Sequence, residues 1–101
     1  MTIKWSLLYG VRPDLTEEEY KNVADDIQFY IISHSDRASF LGGPDHWGKT
    51  QVSNQESSYD KAYVTTMSFE TDELAIREVS RYLNEREDII GYYVMTEKGL
   101  W

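Results

Sequence analysis

The sequence predicts an α+β fold, and three observations carry that prediction. Strand-like stretches rich in aromatic and β-branched residues open and close the chain and recur at 61–70. Two other stretches repeat apolar residues at helical spacing. The pieces alternate as β-α-β-β-α-β, the split βαβ order of a ferredoxin-like domain: a four-stranded antiparallel sheet with two helices on one face. The 101 residues fit one such domain, spanning 1–101, with a single core.

Each element has a local cause. Residues 3–11, IKWSLLYGV, form the first strand and end at the turn residues Arg12-Pro13-Asp14. Thr16 and Glu19 make a capping box, in which the hydroxyl accepts an unpaired amide and the carboxylate reaches back to the cap. Tyr20, Val23, Ala24, Ile27, Tyr30 and Ile31 then define the inner face of a helix over 16–34, with Glu17, Glu18, Asp25 and Asp26 outside. Gly42-Gly43-Pro44 reads as a break, followed by a weak second strand near 46–54 and a polar loop, QESSYD. KAYVTTMSFE at 61–70 is the third strand. Thr71 or Asp72 caps a second helix with Ala75, Ile76, Val79, Tyr82 and Leu83 on one face, and IIGYYVMTE at 89–97 is the last strand. There is no linker, low-complexity tract or sequence repeat.

Side chains alternate across a strand, so the pattern also assigns faces. Leu7, Tyr9, Met67, Phe69, Tyr92 and Val94 are expected under the helices. Leu8, Val64, Tyr93 and Met95 fall on the open face, which is more apolar surface than a solvated face needs and suggests a protein partner. Trp47 is a candidate anchor for the same partner, since tryptophan is enriched at interface centres.

Composition narrows the function. With 18 acidic and 10 basic residues the net charge is −8, which repels a phosphate backbone and excludes autonomous, non-specific nucleic-acid binding. The absence of cysteine excludes disulfides, thiolate metal sites and a cysteine nucleophile. The N-terminus lacks a signal-peptide pattern and no apolar run reaches membrane-spanning length, so the expectation is a soluble intracellular protein without a membrane partner. His34 and His46 lie on different elements, too few for a metal site. Ser33, Ser35 and Asp36 flank His34, but spacing alone does not make a triad. FLGGPDHWGK lacks the phosphate-loop pattern. The reading is therefore a protein with no catalytic residues, metal, cofactor or small-molecule substrate.

Residues VRPDLTEEE after the first strand, WGK at 47–49 and AYVTTMSFETDELAIREVSRYLNEREDIIGYYVMTEK at the end occur in that order. Together, over about residues 3–98, they resemble the bacterial-type small-subunit ribosomal protein S6 family. The resemblance implies a non-enzymatic ribosomal component, on a bacterial or organellar ribosome, that pairs with ribosomal protein S18 and sits on small-subunit rRNA. It places RNA contacts at Lys4, Trp5, Lys49 and Lys98. The partner protein would meet Leu8, Trp47, Val64, Tyr93 and Met95. Two stretches depart from the family: Thr50-Gln51-Val52-Ser53-Asn54-Gln55 replaces a more basic run, and Ile90, Gly91 and Thr96 stand where members often carry Arg or Lys. Fewer cations mean fewer phosphate contacts and more dependence on the protein partner.

A second reading, from the charge and the acid-dense first helix, is a small acidic regulator or inhibitor that binds a basic protein surface, as a nucleic-acid mimic would. That reading requires a continuous acidic stripe. The ribosomal reading requires carboxylates held away from Lys4, Lys49 and Lys98.

Overall fold

The computed structural model describes residues 2–34, 38–51 and 59–101. Its elements are β1 (Ile3–Val11), α1 (Glu17–His34), β2 (Ser39–Gln51), β3 (Lys61–Thr71), α2 (Glu73–Glu85), β4 (Ile89–Thr96) and β5 (Gly99–Leu100). The strands form one antiparallel sheet in the order β2-β3-β1-β4-β5. The βαββαβ prediction holds, with β5 added as a fifth strand that pairs Leu100 with Met95 and Gly99 with Thr96.

Both helices start where the sequence places a cap. The Thr16 amide donates to Glu19 Oε1 at 2.9 Å and the Glu19 amide to Thr16 Oγ1 at 3.1 Å, closing the capping box. The Thr16 hydrogen bonds hold the Glu19 carboxyl below its ordinary value, because they favour its charged form. Asp72, rather than Thr71, caps α2: its carboxylate accepts the Ala75 amide at 2.8 Å.

The core lies between the helices and one face of the sheet. Trp5, Leu7, Tyr9 and Val11 from β1 meet Met67 and Phe69 from β3, Val94 from β4, and the inner residues of both helices. Among the latter, Tyr20, Val23, Ala24, Ile27 and Ile31 of α1 and Ala75, Ile76, Val79 and Leu83 of α2 are buried, as their periodicity predicts. Tyr82 is half-buried, and its ring stacks on Tyr30 at 4.0 Å. Arg86 ties the C-terminal end of α2 to the middle of α1. It makes a two-pronged pair with Asp88 at 2.9 and 2.7 Å, donates to the Tyr82 hydroxyl at 2.6 Å, and reaches Asp26 at 3.2 Å. The guanidinium accordingly holds the Asp88 carboxyl below the usual aspartate value.

β2 departs from the sequence expectation. Gly42-Gly43-Pro44 does not break the chain but lies inside the strand, which begins at Ser39 and reaches Gln51. Register shifts between Phe40 and Gly42, Gly42 and Asp45, and His46 and Gly48 absorb the irregular residues while pairing with β3 continues. Gly43 is what allows this. Its φ is +81°, and a Cβ there would stand 2.7 Å from the Thr66 carbonyl oxygen. The expected strand end at 52–54 and most of the polar loop lie outside the described residues, as do Ser35 and Asp36 beside His34.

Candidate interface on the open face of the sheet

Residues directly opposite in paired strands share a face, so the register assigns every side chain. Leu8 sits opposite Thr66 on one side and Tyr93 on the other, Ser6 opposite Ser68 and Met95, and Gly10 opposite Val64. These residues look away from the helices. Leu8, Val64 and Met95 are half-buried among their neighbours, and Tyr93 is 58 % exposed. The open-face assignment of all four therefore stands, as does the helix-side assignment of Leu7, Tyr9, Met67, Phe69, Tyr92 and Val94.

Trp47 joins this face through the bulge between His46 and Gly48. His46 pairs with Thr65 and turns to the helix side, where its Nδ1 lies 3.1 Å from Thr65 Oγ1 and its ring meets Tyr20 edge-on at 5.0 Å. Gly48 pairs with Val64 on the open side. Trp47, the extra residue between them, lays its ring over β3 and donates from Nε1 to Thr66 Oγ1 at 3.1 Å, remaining 67 % exposed. Tyr20 supports the bulge from behind. Its hydroxyl donates to the Val64 carbonyl at 2.6 Å and accepts from Thr65 Oγ1 at 3.0 Å, and its ring stacks on Tyr63 at 4.4 Å. A polar chain from His46 through Thr65 and Tyr20 to Val64 thus fixes how Trp47 is displayed.

Leu41 and Leu100 extend the apolar surface and escaped sequence reasoning. Leu41 occupies the first register shift of β2 and lines a shallow depression with Lys4, Ser6, Ser68 and Met95. Leu100 stands opposite Met95 on β5. Both depend on structure that no periodicity announces.

The cations are not gathered on one patch. Lys4 pairs with Glu70 on the open face, and Lys98 lies in the β4–β5 turn, where its amide donates to Thr96 Oγ1 at 3.1 Å. Both line one cavity at that end of the sheet. Lys49 is at the other end: opposite Tyr63, seven residues along β3 from Glu70, or about 23 Å at strand rise. It is also on the helix side, its Nζ 5.4 Å from the centre of the Tyr63 ring. The bulge at Trp47 resets the alternation and turns Lys49 away from the open face.

Trp5 requires a correction. It was expected among the RNA contacts, but only 2 % of it is exposed. It sits on the helix side of β1, donates from Nε1 to the Thr71 carbonyl at 3.0 Å, and is covered by Trp101, whose ring meets it edge-on at 5.7 Å. Burial of so large an apolar ring outweighs any gain from displaying it.

Among the described residues no continuous acidic stripe covers the open face, which carries Asp45, Glu70 and Lys4 among apolar and hydroxyl side chains. Glu70, Glu73 and Glu97 share the cavity lined by Lys4 and Lys98, so the expectation that carboxylates stand away from the lysines is not met at these two. Among the described residues no group of three or more His, Asp or Glu could hold a metal ion, and no helix is long and apolar enough to cross a membrane.

An antiparallel sheet with two helices on one side and a bare apolar surface on the other defines a ferredoxin-like α+β scaffold. The family model described as ribosomal protein S6 matches residues 4–96. The chain belongs to the ribosomal protein S6 family, a family of structural components of the small ribosomal subunit. It is 26 % identical over 95 residues to small ribosomal subunit protein bS6 of Dictyoglomus turgidum, covering 90 % of this chain and 91 % of that one. It is 23 % identical over 91 residues to bS6 of Thermoanaerobacter pseudethanolicus, covering 90 % and 93 %. The crystal structure of 30S ribosomal protein S6 from Thermotoga maritima superposes with a TM-score of 0.83 at 14 % identity, over 97 % of this chain and 90 % of that one.

Proposed function

We propose that this chain is a structural protein of a bacterial-type small ribosomal subunit that binds ribosomal protein S18 through the open sheet face and small-subunit rRNA through a few lysines. The observation that carries the reading is the apolar strip running across the sheet: Trp47 on β2, Val64 on β3, Leu8 on β1, and Tyr93 and Met95 on β4. Monomeric proteins seldom leave such a strip uncovered. Its composition, aromatic and aliphatic at the centre with charge at the rim, is that of a protein–protein contact.

Lys4, Lys49 and Lys98 supply the RNA contacts. Three phosphate contacts give a slope of about −2 to −3 in a plot of log affinity against log salt, shallow for a ribosomal protein. Most of the binding energy then comes from the protein partner, and the chain joins the subunit as a heterodimer.

The test is co-expression with S18 of the same organism, followed by gradient sedimentation of that organism's ribosomes. Co-purification with S18 and migration with the small subunit are expected. A chain that stays at the top of the gradient, with S18 binding unchanged in the Tyr93→Asp protein, would falsify the reading.

A further inference from the structure

We propose that the end of the sheet bearing Lys4 and Lys98 is a binding site for a single unpaired guanine nucleotide. An open cavity of about 500 Å³ there is lined by Trp5, Trp101, Lys4, Lys98, Glu70 and Glu97, among others. It lies beyond the apolar strip, and Trp101 and Glu97 take no part in the contacts assigned above.

Three features define the ligand. Trp101 is held by its amide, which donates to the Val94 carbonyl at 2.9 Å, and by edge-on packing on Trp5 at an interplanar angle of 85°. The residue is 47 % exposed and lines the cavity, offering a flat surface on which a base stacks. Lys4 and Lys98 carry no ion pair among the described residues and are available to a phosphate. The carboxylates select the base. Glu70 is engaged by the Thr2 hydroxyl at 2.8 Å, whereas Glu97 has no partner among the described residues. A carboxylate is an acceptor with two oxygens and needs adjacent donors. Guanine offers two, N1–H and N2–H₂, on its Watson–Crick edge. Adenine, cytosine and uracil each place an acceptor beside their donor, which a carboxylate repels. A cavity with both signs of charge and an aromatic wall therefore suits a group that is anionic at one end and donor-rich at the other.

The guanine is supplied either by an unpaired residue of an RNA strand or by a free nucleotide, and the RNA source rests on the ribosomal reading above. The test follows the indole and amide signals of the full chain by two-dimensional NMR during titration with GMP, AMP, CMP, UMP, inorganic phosphate, and a single-stranded tetranucleotide containing one guanine. GMP is expected to move the Trp101 indole and Lys98 amide signals, with the other three nucleotides about tenfold weaker, the discrimination of one bidentate contact. Glu97→Gln, in an exposed turn, should erase the preference for guanine while leaving weak binding. Trp101→Leu, which keeps an apolar cover on Trp5, should abolish stacking. Tighter binding of the tetranucleotide than of GMP assigns the RNA source, and equal binding assigns the free nucleotide. An equal response to all four nucleotides, the same shifts with phosphate alone, or an unchanged preference in Glu97→Gln overturns the inference. Failure to join S18 or the subunit overturns the ribosomal reading and leaves the guanine result standing.

Discussion

Removing one oxygen from Tyr20 tests whether the polar chain behind β2 holds the fold and displays Trp47. Tyr20→Phe keeps the ring, and with it the stack on Tyr63 and the edge contact with His46, so only the hydroxyl is in question. Its loss takes one donor from the Val64 carbonyl, which accepts at 2.6 Å, and removes the acceptor of Thr65 Oγ1 at 3.0 Å. Each lost hydrogen bond costs about 1 kcal/mol net, and somewhat more for the buried one whose donor is left short of a partner. Thr65 recovers part of this through His46 Nδ1, 3.1 Å away. The expected loss is about 2–3 kcal/mol, or roughly 10–20 °C in Tm for a domain of this size. Thermal unfolding followed by circular dichroism reads the loss, and indole chemical shifts read the accompanying change at Trp47. A Tm within about 2 °C of the parent protein, set against that expected fall, would refute the reasoning.

Three further outcomes follow from the same geometry. Asp88→Asn breaks the two-pronged pair with Arg86. Because the folded carboxyl titrates below its unfolded value of about 3.9, the aspartate's contribution is complete above that pH and is lost as pH falls through the lower folded value. Urea titrations of both proteins should differ near neutrality and converge in acid; a gap that persists at pH 2 contradicts the ion-pair origin. Gly43→Ala forces a side chain onto a residue at φ +81°, with Thr66 oxygen at 2.7 Å and Met67 Cα at 3.0 Å, both backbone atoms that cannot swing away. A cost of about 2–3 kcal/mol and faster hydrogen exchange along β2 are expected, and unchanged exchange would speak against the tight approach. Trp47→Ala gives up one exposed hydrogen bond and should move stability by no more than about 0.5 kcal/mol. On the function proposed above, it should weaken S18 binding by about 30-fold, the cost of a tryptophan anchor. Equal affinity in a binding titration removes Trp47 from the interface.

What the sequence made legible is what local chemistry decides. The Thr16–Glu19 box, the periodic faces of both helices and the alternation of β1, β3 and β4 depend on neighbours a few residues apart, and each is where the pattern puts it. β2 was less legible because Gly42-Gly43-Pro44 has the composition of a turn, and only pairing with β3 keeps it extended. The bulge at Trp47 has the same origin, and with it the turning of Lys49 to the helix side, since one inserted residue inverts every later position. Trp5 was misplaced because the resemblance carried it into the RNA contacts, although its alternation with Leu7 and Tyr9 already puts it on the helix side. The two residues of β5, and Trp101 on Trp5, rest on contacts with β4 and β1 from the far end of the chain.

The irregularity of β2 has a consequence for solubility. β2 forms one margin of the sheet, thirteen residues long, with its outer row of amides and carbonyls facing away from β3. A straight margin of that length is a template on which a second chain can add and propagate into a fibre. Three register shifts, a proline that lacks an amide, and the charges of Asp45 and Lys49 interrupt the described part of the margin onto which a foreign strand would zip. At the opposite margin β5 covers Met95 and Thr96 of β4. The features that made β2 hard to recognise as a strand are those that keep this acidic chain from polymerising through its own sheet.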